Sequence, residues 1–222
     1  MVCHSSMTSS HGTEPTRQSL HTLAEAVLAG PQHARAATIR LGVRTDANET
    51  SIITTKPPEV RLNAAGLHGP AGSVALNAIT TARAAGAAIG VPVARAGIYG
   101  DTSGVELDDP LTIDPDLARA LLGWFGLGAQ ALAGFAPEHA AVLWPEHFDL
   151  AVSVGTVNYG ISAGDATHSD PYAYVGPWTV PEHEFFTVSF GALRSWEEVR
   201  DPAAIMAFFD AGRRAAGAPA AV

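Results

Sequence analysis

Two hydrophobic periods divide the chain. From Pro15 to about Ala29, Leu20, Leu23, Ala24, Val27 and Leu28 fall on one stripe at helical spacing, and Gly30-Pro31 predicts the stop. Thr38 to Arg44 then alternates, with Ile39, Leu41 and Val43 on one side and Arg40 and Arg44 on the other, which predicts a half-buried strand. A turn-like Asp46–Glu49 leads to a second strand at Ser51–Thr55, broken by Lys56-Pro57-Pro58, and Val60 and Leu62 suggest a short third. Ser73 is the expected cap of a helix running to about Ala88, closed by Gly90 and Pro92. Asp114-Pro115, a cap residue followed by proline, opens another helix with Leu117, Leu121, Trp124, Leu127 and Leu132 on its stripe. Gly123, Gly126 and Gly128 inside it each cost about 1 kcal/mol relative to alanine. Close approach to a sheet is the expected return; otherwise the helix frays there.

After Pro137 the period changes to two. Phe148, Leu150, Val152 and Val154 alternate with His147, Asp149, Ala151 and Ser153, and Val157, Tyr159 and Ile161 continue beyond a turn at Val154-Gly155-Thr156. Tyr172–Val175 and Phe185–Phe190 are two further expected strands, and Asp201-Pro202 starts a last helix to about Ala216. The pattern predicts an α+β fold, a mainly antiparallel sheet packed with about four helices. It is expected as one domain over 16–216 between flexible tails at 1–15 and 217–222. A two-lobed version around the polar, acidic loop Tyr99–Pro110 fits the same pattern, and no long internal repeat is visible.

Composition narrows the partners. The 222 residues suffice to bury a core. Forty-one alanines against one lysine, Lys56, read as a coding bias and carry no fold signal. The net charge of −9 argues against nucleic acid or an anionic membrane, both of which need a basic footprint. Cys3, the single cysteine, forms no intrachain disulfide and no thiolate cage. No apolar run approaches the roughly 20 residues of a membrane span, nor does the start read as a signal peptide. A cytoplasmic location is therefore the expectation, with a small molecule as partner and the oligomeric state open.

Charge also localises the chemistry. Ala120 to Leu193 holds no lysine or arginine, yet it carries seven carboxylates and four histidines. Within it, on a strand through Leu143–Ala151, His147 and Asp149 would share one face while Phe148 and Leu150 turn to the core. The following hairpin would bring Ser162 to Gly164 alongside, with Asp165, His168 and Asp170 just beyond. Candidate catalytic residues are His147, Asp149, Asp165 and Tyr172, with Tyr159 as a second proton donor. Trp144, Tyr159, Tyr174 and Trp178 are candidate walls of an organic-ligand pocket.

Carboxylates far from any cation need a distant arginine, several donors or a metal. His147, Asp149 and His168 form a candidate ligand set for zinc, iron or manganese, although Asp149 and His168 are close in sequence for the common oxygenase barrel. Against this stands a plain solvated strand face, with His147 bonded to Asp149, Asp165 in a turn and the tyrosines as ordinary strand residues. Arg194 and Arg200, the first cations after the empty stretch, are placed to fold back onto it. His21 and His33 read as surface or cap residues, and His139 and His183 as outlying members of the site. No phosphate-binding glycine loop, zinc-protease helix or nucleophile elbow occurs. Three functions remain open: a small-molecule enzyme, a non-catalytic small-molecule binder, and a protein-interaction domain using the loop Tyr99–Pro110.

The segment LWPEHFDLA, followed by VNYGISAGDATHSDPYAYVGPW, resembles a group of bacterial proteins with a "WPEHFDLA … YG-S-GD … PY-YV-PW" signature. Arg17–Arg44 and Leu117–Leu132 are similar to theirs as well. Those proteins follow the first strand with a Gly-Gly-Phe-type turn, which Thr45–Thr50 lacks. The resemblance implies that Leu143–Trp178 works as one unit; it implies no reaction.

Overall fold

Alternation becomes a sheet of ten strands. The structure is a computed structural model that describes residues 13–47, 49–98 and 102–217. Cys3, His4, His11 and most of both expected tails lie outside the described residues. Helix α1 (Glu14–Leu23) runs through a π-helical stretch (Ala24–Ala29) into α2 (Gly30–Ala36). A first meander follows: β1 (Leu41–Asp46), β2 (Glu49–Thr54), β3 (Arg61–Asn63), β4 (Gly66–Gly69) and β5 (Gly72–Ala75). A 3-10 turn (Leu76–Ala78) and α3 (Ala82–Ile89) close that half. The second half opens with α4 (Pro115–Phe135) and continues through β6 (Val142–Trp144), β7 (Asp149–Val154), β8 (Val157–Ser162), β9 (Tyr172–Pro177) and β10 (Ala192–Ser195) to α5 (Pro202–Ala215). The order β10-β9-β8-β7-β6-β1-β2-β3-β4-β5 is antiparallel at every ladder. The two meanders join where Leu41 of β1 faces Leu143 of β6. This is the α+β architecture that the two periods predict, with the first three helical segments acting as one body.

Register assigns the faces. Leu143, Leu150, Ile161 and Ala173 stand opposite one another in turn across β6–β9, all buried. Helix α4 lies on this face: a Cβ at Gly126 would fall 2.3 Å from Thr50 Oγ1, and one at Gly128 2.2 Å from Ile161 Cδ1. The close approach expected of these glycines is thus observed; Gly123 meets nothing within 4 Å. Helix α5 meets Val175 through Gly212 in the same way. The opposite face of β6–β9 carries Trp144, Asp149, Ser162 and Tyr172 in one row, and Ala151, Gly160 and Tyr174 in the next.

Several local expectations are corrected. Gly30-Pro31 does not stop the first helix. In the π-helical stretch Gly30 N–H bonds to Glu25 O, which moves the demand of Ala26 O onto residue 31, a proline with no N–H. Ala94 N–H supplies that bond at 3.1 Å instead. Its backbone comes so close that a Cβ at Gly30 would lie 1.6 Å from Ala94 O. The helix begins at Glu14, inside the expected tail. Ser73 caps nothing: it sits in β5, because Gly69 and Gly72 face each other at the β4–β5 turn, and Thr81 caps the shorter α3 through Ala84 N–H. Phe185–Phe190 is not a strand. Phe185 stacks on Phe208 of α5 at 5.4 Å, and beyond one isolated bridge between Val188 and Gly191 the pairing begins only at Ala192.

His147 is also misplaced by simple alternation. Residues 145–148 form a tight turn between β6 and β7, and Phe148 has φ +50°. That left-handed conformation is uncommon for a bulky residue. It drives the Phe148 ring into the core, stacked on His21 at 5.3 Å and edge-on to Phe125 at 5.1 Å. His147 is left exposed on the turn, and β7 starts at Asp149.

Candidate functional site

A cavity of about 870 Å³ opens over the face of β7–β9 opposite α4. Asp149, Ser162, Tyr172, Tyr174 and Asn158 form its floor, and Asp165 to Thr167 one flank. Arg17, Gln18 and His21 of α1 close the far side with His147, while Trp178, Val180 and Phe190 stand at the rim. A second cavity of about 490 Å³ adjoins it through His147, Asp149, Asn158, Tyr174 and Trp178, and it is here that Trp144 lies, with the Arg40 guanidinium 5.6 Å over its ring.

Two tyrosine–carboxyl pairs lie side by side on the floor. The hairpin turns at Gly155-Thr156, one residue tighter than the expected Val154-Gly155-Thr156, and its register sets Asp149 opposite Ser162, with Ser162 opposite Tyr172 in the next ladder. Tyr172 Oη donates to Asp165 Oδ2 at 2.5 Å, and Tyr174 Oη donates to Asp149 Oδ2. The rings are 6.2 Å apart. Tyr174 crosses β8 to reach Asp149 because residue 160 is glycine: a Cβ there would be 2.7 Å from both Cζ and Oη of Tyr174.

The two carboxyls are shifted in opposite directions. Asp149 is buried, and Oδ1 has no hydrogen-bond partner. Burial lifts it to about 6; the Tyr174 hydroxyl and the charge of His147 pull the other way, and Glu146 adds to the rise. Burial also raises Asp165, but the Tyr172 hydroxyl and the backbone N–H groups of His168 and Thr167, with Arg17 nearby, outweigh it and hold the group below its ordinary value. Burial drives both tyrosine hydroxyls upward, reinforced by the adjacent carboxyls, so both remain protonated donors. A pair of carboxyls pushed apart by environment is how one site holds an acid and a base together.

Not every expected residue joins this group. Tyr159 is corrected from the pocket to the core: it is fully buried on the helix face of β8, between Phe135 at 4.6 Å and Phe209 at 5.8 Å. His168 turns its ring edge-on to Tyr172, and Nε2 is buried without a partner. Among the described residues no group of three or more His, Cys, Asp or Glu side chains is placed to hold a metal ion. The expected His147, Asp149 and His168 set therefore does not form; His147 sits on a turn, and Tyr174 takes one oxygen of Asp149. His139 and His183 do not line the cavity. Arg194 does not fold back onto the carboxylates but lies over Phe208 at 5.5 Å, and Arg200 lines a separate groove with Trp124 and Trp196.

Arg17 and His21 are the members that sequence reasoning missed. Both are buried, one turn apart on α1. His21 is corrected from surface to interior, and burial lowers it to about 4. Arg17, far outside the stretch that lacks a cation, adds a favourable charge to Asp165 that is smaller than the effect of the Tyr172 hydroxyl and the loop N–H groups. Over residues 102–110 of the acidic loop the carboxylates have partners in the chain: Asp108 bonds to Arg83, Asp109 accepts from Glu106 N–H, and Glu106 lies 3.7 Å from Arg95.

No family model, curated protein or solved structure matches this chain. Among the described residues, no helix is long and apolar enough to cross a membrane.

Proposed function

We propose that the chain is an enzyme acting on a small organic molecule held in the 870 Å³ cavity, with Asp149 as the group that exchanges a proton with it. The observation that carries this reading is the state of Asp149: buried at the cavity floor, one oxygen fixed by Tyr174, the other with no partner. A buried carboxyl oxygen without a donor is costly in a structure that gains nothing from it. A value of about 6 lets Asp149 both accept and return a proton near neutral pH. Tyr174 positions the carboxyl, and His147 stands exposed on the neighbouring turn. Asp165 stays ionised and fixes the Tyr172 hydroxyl, and Arg17 lines the same cavity.

The test is a mass-spectrometric screen of small-molecule mixtures for compounds consumed by the wild-type chain. At least one compound should be converted, and Asp149→Asn should slow its conversion at least 100-fold while the compound still binds. Ligands that bind and emerge unchanged would instead establish a binding module. The exposed rim residue Trp178, at 68% exposure, favours that alternative.

A further inference from the structure

We infer that the molecule taken by this cavity carries a protonated amine, seated on the aromatic floor with an N–H directed at Asp149 Oδ1. The inference rests on the reading of the cavity as a small-molecule site and names the class of molecule.

Three independent features point to a cation. The first is aromatic. Tyr172, Tyr174 and Phe190 form a triangle with centroids 6.2, 6.4 and 6.4 Å apart. Their planes meet at 59°, 32° and 89°, so they enclose a corner and do not stack into one slab. Ring faces are negative, and a corner of them attracts an ammonium group. The rim continues this surface. Of four exposed large hydrophobic side chains among the described residues, three (Trp178, Val180 and Phe190) line this one cavity. Apolar groups gathered in this way mark a binding mouth.

The second is charge. The carboxylates lining the cavity are Glu14, Asp149 and Asp165, against a single guanidinium, Arg17. Arg17 already has Glu14 at 3.3 Å. An anionic ligand would therefore meet three carboxyls, with Arg17 already engaged by Glu14 and His147, on the turn beside Asp149, as the remaining basic group. The third is the acceptor. Asp149 is 8% exposed, and Oδ1 is buried with no donor. A neutral apolar ligand would leave that oxygen as it is, whereas an ammonium N–H supplies both the hydrogen bond and the charge. A quaternary ammonium supplies the charge alone, so the acceptor selects amines that retain an N–H.

The experiment uses matched arylalkyl compounds of one length: a primary amine, its trimethylammonium, its alcohol and the corresponding carboxylate, titrated calorimetrically into the full chain at neutral pH. The amine should bind at least 10-fold more tightly than the alcohol and more tightly than the trimethylammonium, and the carboxylate should not bind. Asp149→Asn should erase the preference of amine over alcohol. Phe190→Ala, a change at a rim residue 36% exposed, should weaken the amine about 5-fold without unfolding the chain. The proposal is overturned if the alcohol or the carboxylate binds as well as the amine, or if no member binds at millimolar concentration. An amine that binds but is never converted sustains this inference while removing the enzymatic one. Conversion of a neutral compound through Asp149 does the reverse.

Discussion

The state of Asp149 depends on an atom that is missing from its neighbour. Gly160 leaves the space in which the Tyr174 ring lies, and through that space Tyr174 reaches from β9 across β8 to β7. Alanine at 160 would place its Cβ 2.7 Å from Tyr174 Cζ and 2.8 Å from Leu150 O, both closer than real Cβ atoms come. The ring is the part that can give, so it lifts away and the Asp149 bond is lost. Expected for Gly160→Ala is a loss of about 1–3 kcal/mol in urea unfolding, together with a further rise of Asp149, because its one donor has gone while its burial stays. Carbon-detected NMR titration of the Asp149 carboxyl checks it. Tyr174→Phe should give the same rise with a smaller stability loss. A titration midpoint unchanged in both variants would show that the hydroxyl does not hold this carboxyl. Asp165 should not move in either variant, since its donors are Tyr172 and its own loop.

Elements show where local pattern reads true and where it cannot. The glycines of α4 are legible twice over, as a cost to the helix and as a sign of close approach, and the structure separates the three. Gly126 and Gly128 abut Thr50 and Ile161 on the sheet, while Gly123 faces open space. Gly123→Ala should therefore stabilise the chain by about 0.5–1 kcal/mol, since only backbone entropy changes. Gly126→Ala should destabilise it by about 1–3 kcal/mol, since the helix must move off β2. Thermal unfolding of the two variants should give midpoints on opposite sides of the wild type; shifts of the same sign would refute the packing assignment. Helix starts at Asp114 and Asp201 were legible for a local reason: the cap residue bonds N–H groups two or three residues on. The end of the first helix was not, because Ala94, more than sixty residues away, supplies the bond that Pro31 lacks. Strands β4 and β5 were hidden because Gly-Leu-His-Gly and Gly-Ser-Val-Ala are too short and too poor in apolar residues to show a period.

Across the whole molecule, one order occurs twice: helix, five-strand meander, helix. The candidate site lies on the second meander, where the charge pattern of the sequence pointed, yet the first helix of the first half closes it. Arg17 and His21 were invisible because contacts between distant segments leave no local period. This juxtaposition gives the chain a pH signature. Burial lifts Asp149 to about 6, so over roughly pH 4 to 6 the folded chain keeps a proton that the unfolded chain has released. Its contribution to stability is full below its unfolded value of about 3.9 and is lost as pH rises through about 6. Burial lowers His21 to about 4, against about 6.5 unfolded, so its contribution is full above 6.5 and is lost as pH falls through 4. The two slopes oppose each other over the same interval, each on the order of 3 kcal/mol. Removing one exposes the other. In urea unfolding at a series of pH values, Asp149→Asn should gain on the wild type as pH rises from 4 to 7, by on the order of 3 kcal/mol. Asp165 and the surface ion pairs are common to both chains and drop out of the difference. A stability difference that stays level across that range would mean that Asp149 titrates as an ordinary carboxylate, and the proton exchange proposed for it would lose its physical basis.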